Sequence, residues 1–204
     1  MKIVFENVGR RYHYDWIFRK ISFVFESGKS YAITGRNGSG KSTLLQVAAG
    51  LLSPSEGKVT HENPNPTEDD KWYQHLVWCA PGLDLVEDFT VQEALNWHFS
   101  IKPIIAGTTV EGILKELGLW DSRNKFLHQL SSGMRQRIKL ATVVFADVPV
   151  WLLDEPCTNL DAAGIAWYRL VCAQNSKNRL VLIASNDPQE YDFVTEIFDV
   201  TPYK

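Results

Sequence analysis

The chain has 204 residues, 45% of them hydrophobic and 22% charged, with a net charge of −3 and a pI near 6.0. That is an ordinary globular composition, long enough to bury a sizeable core, and it carries no positive field to attract nucleic acid. The apolar stretches are too short to span a bilayer, the one from Val143 to Leu153 being broken by Asp147 and Pro149.

The opening run Met1 to Glu6 turns polar too early for the apolar core of a signal peptide, so a cytoplasmic location is expected. Ile3-Val4-Phe5 and then Ile21 to Phe25 read as strands of an antiparallel lobe, with Arg10-Arg11 and Arg19-Lys20 as solvated flanks and Ser27-Gly28 as a turn. The next apolar strand, Ser30 to Thr34, runs into Gly35-Arg36-Asn37-Gly38-Ser39-Gly40-Lys41-Ser42-Thr43, and a helical pattern follows at Leu44, Val47, Ala48 and Leu51. Strand, G-x-x-x-x-G-K-[ST] and helix in that order make a phosphate-binding P-loop. Glycines let successive N–H groups turn inward onto phosphate oxygens, and the helix N-terminus adds partial positive charge. Lys41 is then placed for the β and γ phosphates of a nucleotide and Ser42 for a Mg2+ ion.

Gly50 and Pro54 to Gly57 break the chain, and Asn63 to Asp70 reads as a polar surface loop. Leu76 to Cys79 is a short buried strand, and Thr90 to Gly118 has helical spacing opened by a Thr90/Glu93 capping box. Ser131 or Ser132 caps a further helix with an apolar face of Met134, Ile138, Ala141 and Phe145. Val150 to Leu153 and Leu180 to Ala184 read as buried parallel strands. The fold class is α/β, strands alternating with helices about a central sheet. Cys79, Cys157 and Cys172 are odd in number and unclustered, as reduced core thiols are.

The strand Val150 to Leu153 ends in Asp154-Glu155, at the carboxyl edge where ligands bind in open α/β sheets. Asp154 there suits Mg2+ through water, and Glu155 suits the acceptance of a proton from an attacking water. A helix-capping acidic pair is the plainer alternative.

Two more segments narrow the choice: Leu130-Ser131-Ser132-Gly133-Met134-Arg135-Gln136-Arg137, and Thr158-Asn159-Leu160-Asp161. The order of P-loop, LSSGMRQR, LLDEP and NLD resembles the ATP-binding cassette (ABC) family over essentially the whole chain. The resemblance implies one P-loop NTPase domain of ABC type over 1–204. Its antiparallel β lobe covers about 1–30 and 57–75, its helical subdomain about 82–146, and the P-loop core the remainder. ATP and Mg2+ would be held by Gly35, Asn37, Gly38, Ser39, Gly40, Lys41, Ser42 and Thr43. Two cassettes of the family close head to tail, so Ser131, Ser132 and Gly133 would face the partner's γ-phosphate, and Asp161 the seam beside the opposing P-loop. Tyr12, 29 residues before Lys41, stands where the family carries an adenine-stacking ring; Tyr14 and Trp16 compete for that task, and packing at a strand edge also explains Tyr12.

Two positions depart from the family. Counting nine residues back from Thr90 gives Pro81 where a glutamine usually contacts Mg2+, and Asn186 stands where a histidine usually meets the γ-phosphate. Asn186 still donates an N–H but is uncharged and cannot titrate, so slower turnover is expected. The aromatics Trp72, Tyr73, Trp78, Trp97 and Phe99 suit either a groove for the membrane subunit or core packing. The resemblance thus implies an ATP-hydrolysing subunit of an ABC transporter. It would work as a homodimer with transmembrane permease subunits, peripheral on the inner face of the membrane, without inserting into lipid or binding nucleic acid. A slow or non-hydrolysing, ATP-dependent regulatory module of the family is the alternative.

Overall fold

The apolar runs at 30–34, 150–154 and 180–184 can hide both faces of a strand, which suits the middle of a parallel sheet. The computed structural model describes residues 1–64, 66 and 71–204; the loop expected at 63–70 lies mostly outside them. In chain order the elements are β1 (Lys2–Tyr12), β2 (Asp15–Glu26), β3 (Ser30–Thr34), α1 (Lys41–Ala48), β4 (Glu56–Glu62), β5 (Leu76–Cys79), α2 (Val91–Ile101), α3 (Val110–Glu116), α4 (Ser132–Val144), β6 (Val150–Asp154), α5 (Ala162–Asn175), β7 (Leu180–Ala184) and β8 (Glu196–Asp199). The central sheet is parallel in the order β5-β6-β7-β3-β8, and a second, antiparallel sheet has the order β2-β1-β4.

Period-two alternation divides the central sheet between two cores. Trp151, Leu153, Val181 and Ile183 face the helical side, with Leu95, Ile113, Leu114 and Ile138. Val150, Leu152, Leu180 and Leu182 face α1 and the antiparallel sheet, where Leu44 and Leu45 meet Ile3, Phe5, Phe25 and Tyr31. Each such side chain contributes about 1.5–3 kcal/mol on full burial. Phe25 lies edge-on to Phe5 and Tyr31 at 5.6 and 5.1 Å. The three cysteines are free and buried, and burial pushes the Cys79 thiol up to about 12.

Three expectations change. β1 and β2 are far longer than Ile3 to Phe5 and Ile21 to Phe25, because the arginines lie on the open face of the hairpin rather than in turns. Arg19 donates to Glu56 at 3.0 and 2.9 Å and stacks on Trp16 at 4.1 Å. Register shifts after Phe5 and Val8, with positive φ at Asn7 and Lys20, hide the alternation that marks a strand. The helical stretch from Thr90 is two helices: Pro103 forces Lys102 into extended backbone (φ −112, ψ 133), which ends α2. The capping box is formed, Thr90 N donating to Glu93 Oε2 at 2.8 Å and Glu93 N to Thr90 Oγ1 at 3.2 Å. α5 and β8 are additions that no pattern announced.

Candidate functional site

Three loops leave the carboxyl edge of the central sheet side by side: the glycine loop after β3, Glu155 onward after β6, and Ser185-Asn186 after β7. Open parallel sheets place ligands at this edge. The loop needs its glycines: Gly35, Gly38 and Gly40 have φ of 143, 75 and 99, a region costly for other residues. A Cβ at Gly35 would lie 2.6 Å from Ser39 Oγ, and one at Gly40 2.3 Å from Ile17 Cγ2.

Lys41 is buried and its Nζ donates to the Gly35 carbonyl at 3.0 Å, which folds the side chain back over the loop. Ser39 Oγ is buried without a partner. Such an orphan hydroxyl, a lysine held over a glycine loop and a helix N-terminus form a donor set that fits phosphate oxygens. Ser42, in the first turn of α1, and Asp154, the last residue of β6, line one cavity. Burial raises the Asp154 carboxyl above its ordinary range; the Ser42 hydroxyl and Lys41 oppose that rise, and Glu155 reinforces it. A buried carboxylate beside a hydroxyl at a phosphate cradle fits a hard divalent cation. Among the described residues no group of three or more His, Cys, Asp or Glu could hold a metal alone, so phosphate and water would complete the coordination.

Glu155 is exposed and sits at φ 44, a strained value for a non-glycine residue. Its N–H donates to the Ala184 carbonyl at 2.9 Å, which fixes the strand end beneath it. Asn186 Nδ2 donates to Asn37 Oδ1 at 2.8 Å, so the loop after β7 closes onto the glycine loop. The cavity over the glycine loop, about 330 Å3, is lined by Ile17, Asn37, Gly40, Lys41, Thr43 and Glu155 among others. Tyr12 does not line it: this tyrosine ends β1, exposed, with the Arg10 guanidinium 4.9 Å over its ring. Tyr14 at the hairpin tip is 91% exposed and Trp16 lies under Arg19.

The serine-glycine segment lies elsewhere. Ser131 is the N-cap of α4, its Oγ accepting from Met134 N at 3.2 Å, while Ser132 is exposed and Gly133 half-buried. No residue of 130–137 lines the cavity over the glycine loop. The segment packs instead on the chain after β6: a Cβ on Gly133 would stand 2.9 Å from the Asn159 carbonyl, and Gln136 Nε2 donates to the Pro156 carbonyl at 2.6 Å. Asp161 caps α5 by accepting from Gly164 N at 2.8 Å and pairs with Arg137 at 2.6 Å. The Gly164 N–H, then Arg137, hold its carboxyl below the usual range.

Sequence reasoning missed Ile17, Arg137 and Gln46. Only Gln46 had a signal, its spacing of one helical turn from Ser42. Pro81 borders the same side of Ser42, in a cavity shared with Gln46, Asp154 and Glu155. A groove lined by Tyr73, Leu76, Trp78, His98, Ile101 and Lys102 lies where α2 approaches β5. Tyr73 and Trp97 are exposed, whereas Trp72 stacks on His61 at 4.0 Å and donates to the Ala49 carbonyl, so the aromatics divide between packing and surface. Among the described residues no helix is long and apolar enough to cross a membrane.

A family model described as ABC transporter matches residues 18–158. The chain is 34% identical over 192 residues to the cytochrome c biogenesis ATP-binding export protein CcmA of Rhizobium etli, covering 92% of this chain and 89% of that one. It is 33% identical over 195 residues to the protein of the same name in Agrobacterium fabrum, covering 92% and 90%. Among solved structures, a dimeric ATP-binding cassette in a post-hydrolysis state bound to ADP and Pi superposes with a TM-score of 0.80 at 21% identity, covering 97% of this chain and 93% of that one. That last likeness is one of fold.

Proposed function

The chain belongs to the ABC transporter family as an ATP-binding, ATP-hydrolysing subunit, and from that premise we propose that it closes as a homodimer around Mg2+-ATP to drive separate transmembrane permease subunits from the inner face of the membrane. As one cassette it has a β lobe over about 1–30 and 57–75, a helical subdomain over about 82–146, and the P-loop core in the remainder. The observation that carries this reading is the meeting of Ser42 and Asp154 at one cavity, which brings two motifs far apart in sequence together beside Lys41.

In this reading Gly35, Asn37, Gly38, Ser39, Gly40 and Thr43 wrap the phosphates with backbone N–H groups and the Ser39 hydroxyl, and Lys41 neutralises them. Ser42 and Asp154 would hold Mg2+, which would supply charge stabilisation for phosphoryl transfer. Glu155 orients the attacking water and accepts its proton. Asn186 donates its amide N–H to the γ-phosphate, a task supported by its position over Asn37. Tyr12 supplies a ring for adenine from the exposed end of β1. Ser131, Ser132 and Gly133 meet the γ-phosphate of the second copy, and Asp161 lies at the seam. The exposed groove beside Trp78 and Ile101 receives the permease; replacing the exposed Tyr73 and Ile101 then weakens capture of that partner without lowering the melting temperature.

The relatives named as export proteins support export as the direction. The second reading, slow or absent turnover, is favoured by Asn186, whose amide cannot titrate as a histidine would. Phosphate release from Mg2+-ATP, compared with Glu155→Gln, tests the choice. Release well above that variant, with ATP-induced dimers in light scattering, supports the transport ATPase. Dimers without release support the regulatory module, and a monomer indifferent to ATP defeats both.

A further inference from the structure

A second cavity, about 370 Å3, opens on the side of Ser42 away from the glycine loop, bordered by Ser42, Gln46, Trp78, Pro81, Asp154 and Glu155 among others. Its side-chain oxygens are few. Ser42 and Asp154 are the pair that would hold the cation, Glu155 borders both cavities, and Pro81 contributes no side-chain oxygen. Gln46 remains, four residues after Ser42 on α1 and so on the same helical face. It is half-buried, and among the described residues its carboxamide has no hydrogen-bond partner.

Mg2+ keeps several of its waters in protein sites, and those waters need acceptors. Outer-shell acceptors fix the geometry around a metal, and their loss typically costs roughly 10–100-fold in affinity. We propose that Gln46 is a positioning residue for the cation, its side-chain oxygen accepting from a cation-bound water where position 81 offers no side-chain oxygen. The proposal rests on the Mg2+-ATP reading above and adds to it a residue from the P-loop helix itself.

The test uses Mn2+ as the probe and the full chain. ATP affinity is measured by tryptophan fluorescence in EDTA and again with saturating Mn2+, and the gain on adding metal is compared among variants. Gln46→Leu keeps volume and removes the oxygen. It is expected to reduce the Mn2+-dependent gain roughly 10-fold or more, with affinity in EDTA and melting temperature unchanged. Gln46→Leu/Pro81→Gln is expected to recover most of that gain. A gain within twofold of the parent, an equal loss in EDTA, or no recovery by Pro81→Gln overturns the assignment. Ser42→Ala and Asp154→Asn separate the two levels of failure. If the parent gains nothing from Mn2+ and these variants match it, the underlying metal reading fails rather than the role of Gln46.

Discussion

Replacing Gly40 by alanine tests whether the β hairpin shapes the glycine loop. Gly40 immediately precedes α1 at φ 99, ψ 16, a left-handed conformation that costs an L-residue about 1–2 kcal/mol. The new Cβ would also lie 2.3 Å from Ile17 Cγ2 and 3.2 Å from Phe18 Cδ1. Neither contact is tolerable without movement of the loop or the hairpin, and overpacking of this kind costs about 1–3 kcal/mol. A total loss of about 2–5 kcal/mol is expected in urea unfolding, with the m-value unchanged. Ile17→Ala removes the colliding methyl. On its own it costs less than the roughly 2–5 kcal/mol of a fully buried residue, because Ile17 is half-buried. The double variant then regains the collision part but not the backbone part, a coupling of about 1–3 kcal/mol. ATP affinity in EDTA follows the same pattern, since displaced N–H groups no longer converge on phosphate. Additive stability losses, with no coupling between the two sites, would refute the idea that the hairpin sets the loop.

Asn186→Ala breaks the bond to Asn37 and is expected to change stability by no more than about 1 kcal/mol while lowering phosphate release; Asn186→His is expected to raise release above the parent, and a fall instead would count against its placement at the γ-phosphate. Arg137→Ala removes an exposed ion pair and costs little, whereas Asp161→Ala also removes the cap of α5 and is expected to lower the melting temperature further; both are expected to weaken ATP-induced dimers in light scattering. Burial raises the Asp154 carboxyl above its ordinary 3.8, so the group lends stability below that value that is lost as pH rises through the folded-state value. In EDTA the melting temperature of the parent relative to Asp154→Asn is therefore expected to fall over that window. Mn2+ affinity is expected to move oppositely, weakening as pH falls through the same window, because the cation takes only the ionised carboxylate.

What could be read from the sequence is what has a short-range cause. The glycine loop, the strand ending in Asp154-Glu155 and the Thr90 capping box each depend on neighbours in sequence, and each appears where its pattern lies. The central strands were legible because they are buried on both faces, which leaves an unbroken apolar run. β2 was not, because Arg19 sits inside a strand and is stabilised by Glu56, 37 residues away. Charges in a strand read as turns until the partner is known. β8 is hidden for a similar reason: Glu196 pairs with Lys29 at 2.8 Å, and Ile197 beside it is exposed. At the site, Ile17 and Arg137 act through contacts with distant elements, and no local pattern encodes them.

In the proposed dimer, the serine-glycine segment of one chain would complete the site of the other. Its N-terminal donors on α4 are exposed, and none of 130–137 reaches the cavity over the glycine loop. Yet the segment is firmly tied to the chain beyond Glu155, through Gly133 against Asn159, Gln136 to Pro156 and Arg137 to Asp161. A change at Asp161 therefore bears directly on α4, while Ile17 and Asn186 hold the glycine loop of the same chain. In the proposed dimer these donors, which do not reach the cavity of their own chain, would serve the second copy. Substituting Gly133 by alanine, where Asn159 leaves no room, would therefore be expected to weaken dimers while sparing ATP binding by the monomer; equal loss of both would mean that α4 and the glycine loop communicate within one chain.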